Sequence, residues 1–472
     1  MTSPCDLSMT DAQALMRTGS LTAVSLMESV LDRMSAIPAD KHPYVMVRDR
    51  SELLAEAAAA DKARAANGGA GPICGIPIGI KDIVDVAGIA TKCGSPSMED
   101  VLPAAEDATL VAAWKRAGGI VLGKTVTQEF AAGTISAPAR NPWDLDRIPG
   151  GSSGGSAAAI AAGMALLTIG TDTGCSIRCP ASVCNVTGLK PTFGSVSRRG
   201  IFPLACSLDT AGPIARTVQD CADALDLIAG HDPLDAGSAP VQHGSAAAEI
   251  GQDIRGLRIG YPKGFFHETL EEGLAEIFNA AADQMRELGA EVIDADWDLA
   301  AEARLASLVI NRVETSAIHD KRVRQNPELV GEEWRLRVKS GLLLPATGYI
   351  RAQQARIVVR QSAANYFHHH RLDAMILPAT SGVAARADDP YLTYTNGMRE
   401  HVLSGYTRMN MPINATGQPV ISVPAGFTGS GLPIGIQIVG RPFAEARICR
   451  IGHAYEQAAR WIDCRPALTQ GA

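Results

Sequence analysis

From Gly75 onward the chain alternates short apolar runs with amphipathic stretches, and this alternation narrows the fold more than any other property. Residues 76–80 form an apolar run. Asp107 is placed to cap a helix carrying Leu110, Val111, Trp114 and Ala117, which stops at Gly118-Gly119. Ile120-Val121-Leu122 follows as a strand, a helix starts after Gly155, and residues 166–170 form another strand. Strand, helix and strand in succession predict an α/β sheet packed between helices.

Upstream, the first 70 residues read as helical. Thr22 can cap a helix whose Met27, Val30, Leu31 and Met34 fall at i, i+3, i+4 and i+7. An Ala-rich helix is expected over 53–66, closed by Gly68 and Gly69. Residues 231–256, rich in Gly, Ala, Pro and Ser, read as a surface connection. Beyond them, residues 257–260 and 291–293 flank an amphipathic helix. Later strands are expected at 375–377, 420–423 and 434–439, with a final helix over 445–461.

Composition excludes several classes of function. The chain has 472 residues, 46% of them hydrophobic, which is ample for a large core in a soluble globular protein. At roughly 150 residues per domain, length alone would suggest about three domains. The formal net charge is −7 and no basic run occurs, so the electrostatic footprint of a nucleic-acid binder is missing. Residues 1–9 do not read as a signal peptide. No stretch reaches the ~18 apolar residues of a membrane span. The ten cysteines are too sparse for a disulfide framework. A cytoplasmic protein with free thiols, without nucleic-acid or membrane partners, is the expectation.

Three segments carry chemistry. The first is Gly150-Gly151-Ser152-Ser153-Gly154-Gly155-Ser156, ahead of an Ala-rich helix. A phosphate cradle would need Gly-Lys-Ser/Thr at its end, and none is present. The pattern G-x-S-x-G is met by Gly151, Ser153 and Gly155, but a nucleophile elbow needs a preceding strand, and residues 141–147 are polar and contain Pro142. A flexible Gly/Ser loop is the plain alternative. The second segment runs from Gly170 through Asp172, Thr173, Gly174, Cys175 and Ser176 to Arg178. A serine among small residues at the end of a strand can sit where several N–H groups converge, as an oxyanion hole requires; a turn with a capping serine is the plain alternative. In the third segment, Gly75 to Val84, Lys81 lies inside an apolar run. Desolvation there would lower its pKa and let it act as a neutral base. The alternative is a surface pair between Lys81 and Asp82.

Together the three segments resemble the amidase signature family. The resemblance extends to Gly71-Pro72, Gly94-Ser95, Gly123-Lys124-Thr125, Asn141-Pro142-Trp143, Gly188-Leu189-Lys190-Pro191-Thr192, Asp209, Gly212-Pro213 and Pro433-Ile434-Gly435-Ile436-Gln437. The resemblance implies one α/β domain over 1–472 with a large twisted mixed β-sheet between helical layers, which overrules the length prior. Within it, 1–70 would be the N-terminal helical region, 71–230 the signature core, and 257–472 the part completing sheet and pocket. It implies a serine amidohydrolase of amides, ureas or carbamates, with catalytic Lys81, Ser152 and Ser176. Ser176 would be the nucleophile, 24 residues after Ser152; Ser152, on a cis peptide, would relay the proton, and Lys81 would be the base. The oxyanion hole would be the N–H groups of Thr173, Gly174, Cys175 and Ser176. Ser153, Asp172 and Arg178 would support the site, the last two as a structural ion pair. No metal and no organic cofactor is implied, and a homodimer through the N-terminal helices would fit the family.

This chain departs from the family at Cys175, where the family usually has glycine, so a side chain stands beside the oxyanion donors. His368-His369-His370 point to different faces of a helix, and Cys175, Cys179 and Cys184 lack metal-binding spacing. Two alternatives to a free-standing hydrolase remain: an A-type amidotransferase component producing ammonia for a partner protein, and a non-catalytic binding protein. The substrate pocket is expected along 132–139 and 309–349, and the scarcity of charge in the first stretch points to a neutral or aromatic acyl group.

Overall fold

The computed structural model describes residues 3–67 and 71–467. One sheet of eleven strands runs through the molecule in the order β1-β3-β2-β4-β6-β5-β12-β13-β9-β7-β8. Its strands are β1 (Tyr44–Val47), β2 (Pro77–Lys81), β3 (Ile120–Thr125), β4 (Leu167–Asp172), β5 (Thr187–Lys190), β6 (Thr210–Ala215), β7 (Arg258–Gly260), β8 (Glu291–Ile293), β9 (Ala374–Pro378), β12 (Val420–Phe427) and β13 (Pro433–Gly440). A separate hairpin pairs β10 (Tyr391–Thr393) with β11 (Arg399–His401). The sheet is mixed: β2 is parallel to β3 and β4, whereas the successive neighbours from β4 across to β9 pair antiparallel. Strands β2, β3, β4, β9 and β13 are buried along their whole length, as expected of strands covered on both faces.

The helices flanking the sheet are α1 (Met9–Arg17), α2 (Ala23–Arg33), α3 (Arg50–Asn67), α4 (Thr109–Arg116), α5 (Gly154–Ala161), α6 (Arg178–Cys184), α7 (Val218–Asp226), α8 (Gly264–His267), α9 (Leu274–Glu287), α10 (Ala300–Gln325), α11 (Glu332–Leu342), α12 (Ala346–His369), α13 (Val402–Thr416) and α14 (Glu445–Ala459). Thr22 caps α2 as expected, in a reciprocal capping box with Ser25. The proposed closure of α3 by Gly68 and Gly69 lies outside the described residues. Asp107 does not cap α4. The cap position is Ala108, and the Asp107 carboxylate instead accepts from the Ala87 N–H and pairs with Lys115. Residues 231–256 contain neither helix nor strand. Among the described residues no helix is long and apolar enough to cross a membrane.

The sheet order brings β2 beside β4, although 85 residues separate Lys81 from Leu166 in the chain. Their parallel register pairs Gly79 with Thr168, which sets Lys81 level with the end of β4. Helix α5 packs across β4 and β2. This is why the serine loop before α5, the lysine ending β2 and the loop leaving β4 meet at one place.

Candidate active site

Lys81 ends β2 with its side chain fully buried. Its Nζ lies 2.8 Å from each of three hydroxyl oxygens, those of Ser152, Ser153 and Thr171. The Asp82 alternative does not hold: Asp82 pairs with Lys124 of β3 at 3.1 Å, and both are buried. Burial lowers the Lys81 pKa to about 7, although the Asp172, Asp209 and Cys175 charges pull it upward. Lys81 is therefore a buried amine whose partners are all hydroxyls and which is near half-neutral at neutral pH.

Close packing explains the glycines of the serine loop. A Cβ on Gly155 would stand 2.4 Å from the Val126 nitrogen, and one on Gly154 2.6 Å from Ser136 Cβ. The Gly151–Ser152 peptide is cis. The Ser152 carbonyl accepts from the Gln128 N–H at 3.1 Å and from Ser136 Oγ at 3.2 Å, which fixes the backbone from which its hydroxyl reaches Lys81. Ser153 occupies the cap position of α5 but makes no cap bond; its Oγ accepts from Lys81 and from the Thr171 N–H.

The loop leaving β4 is held from both ends. Asp172 accepts from Nε and Nη2 of Arg178 at 3.0 and 2.9 Å, from Asn414 at 2.8 Å, and from the Ile177 N–H at 3.1 Å. Burial opposes ionisation of Asp172, yet Arg178 and Asn414 overcome it and hold the carboxyl at about 2. Arg178 donates further to the Asn410 carbonyl, Gln437 and Asn414, so the guanidinium is saturated. Thr173 donates to Asp209 at 2.6 Å, and Asp209 also accepts from the Leu204 and Ala205 N–H groups. Between these anchors, the N–H groups of residues 173–176 donate to no acceptor on the described residues. Ser176 is 6% exposed. The Cys175 thiol turns back toward the Gly151 carbonyl, 3.7 Å away, and is buried.

Lys81, Ser152 and Ser153 thus meet through hydrogen bonds, and the loop that carries Ser176 reaches the serine loop where Cys175 approaches Gly151. Two neighbours were not singled out for what they do. Thr171 is a partner of the Lys81 amine, and Asp209 holds Thr173; neither has a local pattern, because the partners arrive by strand adjacency or from 36 residues away. The three histidines lie at the C-terminal end of α12, with His368 and His369 exposed. A cavity of about 170 Å³ borders this neighbourhood, lined by Ile83, Thr171, Thr173, Phe202, Asp209 and others.

Comparison with known proteins decides the family. The amidase family model matches residues 25–449. The chain belongs to the amidase signature family. Among relatives, the A-type component of the glutamyl-tRNA(Gln) amidotransferase of Roseiflexus sp. (strain RS-1) is 38% identical, over 98% of both chains. That of Roseiflexus castenholzii is also 38% identical, over 100% of this chain and 99% of its own. Among solved structures, an inhibitor-bound chain from a vestigial complex bearing on the origins of an s-triazine catabolic enzyme superposes with a TM-score of 0.90. It is 34% identical and covers 96% of this chain and 100% of its own. The peptide amidase of Stenotrophomonas maltophilia gives 0.81 at 31% identity, over 96% and 97%. The fold is that of amidase signature enzymes, and the chain is an enzyme of a family that acts on C–N bonds.

Proposed function

We propose that this chain is an amidohydrolase that cleaves an amide or amide-like C–N bond through an acyl-enzyme on Ser176. The observation that carries the reading is the Lys81 amine: buried, bonded only to hydroxyls, and half-neutral near pH 7. As a free amine it has a lone pair for the Ser152 proton while donating to Ser153 and Thr171. Ser152 then takes the proton of Ser176 as Ser176 Oγ bonds to the substrate carbonyl carbon. The resulting oxyanion is met by the unengaged N–H groups of 173–176. Collapse breaks the C–N bond, and the relayed proton returns to the leaving nitrogen. Water, deprotonated along the same relay, cleaves the ester and releases the acid. No step needs a metal or an organic cofactor.

Asp172, Arg178 and Asp209 position the loop in this reading and touch no reacting atom. Cys175 contributes its N–H, while its thiol packs under the serine loop. The test is turnover of a panel of amides, ureas and carbamates by the purified chain, with Lys81→Ala and Ser176→Ala as controls. Loss of turnover in both folded variants supports the relay; near-normal kcat in Lys81→Ala overturns it.

A second reading is favoured by the relatives themselves, which are A-type components of amidotransferases. In it the same hydrolysis supplies ammonia to a partner protein. Ammonia release by the isolated chain at full rate argues against this, and turnover that appears only with a co-purifying partner argues for it.

A further inference from the structure

Three arginines that form no salt bridge gather around a cavity beside the 173–176 loop. A cavity of about 280 Å³ opens between α10, α11 and α13. Its lining includes Arg304 and Arg312 of α10, Arg337 of α11, His401 at the cap of α13, and Thr407 and Met411 along α13. Arg304 and Arg312 are two helical turns apart, so one face of α10 carries both. Two observations join the cavity to the loop. A Cβ on Gly174 would meet Met411 Cε at 3.1 Å and Thr407 Cγ2 at 3.8 Å. Arg337 is also close enough to Cys175 that a thiolate there would act on it.

The three guanidiniums are poorly matched by the protein. Arg337 is 8% exposed; it donates to the neutral amide of Asn311, and its Nε is buried without an acceptor. Arg304 bonds only to Ser404, and its Nε is likewise unmatched. The Arg312 guanidinium donates to no described residue. No carboxylate of a described residue lies within 4.0 Å of any of the three. Glu333 acts on Arg312 and Arg337 only at longer range. Glu400 acts on Arg304 in the same way, and is itself engaged by Arg408, Tyr394 and Ser404. Burial works against all three cations, Arg312 also repels Arg337, and Arg408 repels Arg304. A buried charge normally has a partner, and here the described residues do not supply it.

We infer that this cavity is the anion subsite of the active centre, and that the substrate is a small amide bearing a carboxylate, which Arg312 and Arg337 bind with help from Arg304. The guanidinium fork matches a carboxylate in bidentate fashion. The cavity stands at the low end of ligand-pocket volumes, which suits a short acid. Residues 132–139, on which the expectation of a neutral acyl group rested, do not line it. This inference rests on the amidohydrolase reading above.

The test compares matched amides on the full chain: succinamate against butyramide, and malonamate against propionamide. The carboxylate-bearing member should have kcat/KM higher by about 10–100-fold, the worth of charged hydrogen bonds. Arg312→Gln and Arg337→Gln should each raise KM for the anionic member and collapse that ratio toward one. Arg312 is only partly buried, so its variant is the safer folder. Calorimetry on the Ser176→Ala protein gives a readout apart from turnover, with succinate and inorganic phosphate as probes. Succinate should bind, and Arg312→Gln should weaken it about tenfold or more. Equal turnover of neutral and anionic amides overturns the subsite and leaves the hydrolase. Succinate binding by a chain that turns over no amide overturns the hydrolase and leaves the subsite. Tight phosphate binding without succinate binding overturns the carboxylate assignment.

Discussion

Two regions that meet at Gly174 treat buried arginine in opposite ways. On the strand side, Arg178 is fully buried, pairs with Asp172, and has an acceptor for every donor direction. On the helix side, Arg304 and Arg337 keep buried nitrogens without acceptors, and Arg312 has no partner among the described residues. The first arrangement is complete without any ligand, so its work is to hold the loop between β4 and α6 in shape. The second is complete only when an anion arrives. The contrast separates scaffold from binding surface by chemistry alone, even though Arg178 and the arginine cavity both border the loop leaving β4.

The largest expected effect concerns the centre that the scaffold serves. Ser176→Ala and Lys81→Ala should each lower kcat by about 10⁴-fold or more, since members of a catalytic relay act as a unit. Circular dichroism should show both variants folded. A Ser176→Ala protein with substantial turnover would dissolve the reason for the strand-side clamp.

The comparison itself is sharpened by two methionine substitutions read in urea unfolding. Arg178→Met leaves the Asp172 carboxylate buried and unpaired, and should cost about 3–5 kcal/mol. Arg337→Met removes a cation that has no ion-pair partner, and should lie within about 1 kcal/mol of the parent or above it. Equal losses in both would mean that the two arginines play the same structural part.

The folded pKa of Lys81 is lowered from 10.5 to about 7, so its neutral form is present above that value and is lost below it. Activity should rise through pH 7 and level off, falling about tenfold per unit well below it. A flat profile between pH 5.5 and 8 would remove Lys81 as the base.

The smallest effect is expected at Cys175. Its thiol faces the Gly151 carbonyl rather than the reacting atoms, so Cys175→Ala should keep kcat within about threefold, well short of the ~10² lost with an oxyanion donor. Steady-state kinetics on the two proteins would check this, and a dead Cys175→Ala would reverse it.

Much of this was legible in the chain, and the limits have physical causes. Strands β2, β3, β4, β12 and β13 announce themselves as apolar runs, and α2 by its cap and period. Strand β6 was hidden by Gly212 and Pro213, which argue against a central strand. Gly212 is nonetheless required there, since a Cβ would lie 2.0 Å from the Leu189 carbonyl oxygen of β5. The helical layer from α10 to α12 was not delineated, because its apolar residues do not keep to one face; Leu305, Ile357 and Val358 are exposed. Lys81, Ser152 and Ser176 were readable as motifs. The arginine cavity was not, because Arg304, Arg312 and Arg337 come together only when α10 and α11 pack beside α13, with Gly341 tight against the Arg312 carbonyl.

The central claim is that Ser176, served by Lys81 through Ser152, forms the acyl-enzyme. Mass spectrometry of the protein trapped with a slowly hydrolysed acylating substrate tests it most directly. One adduct is expected, on Ser176, lost in Ser176→Ala and strongly slowed in Lys81→Ala. An adduct on Cys175 that persists in Ser176→Ala would contradict it and make the protein a thiol hydrolase.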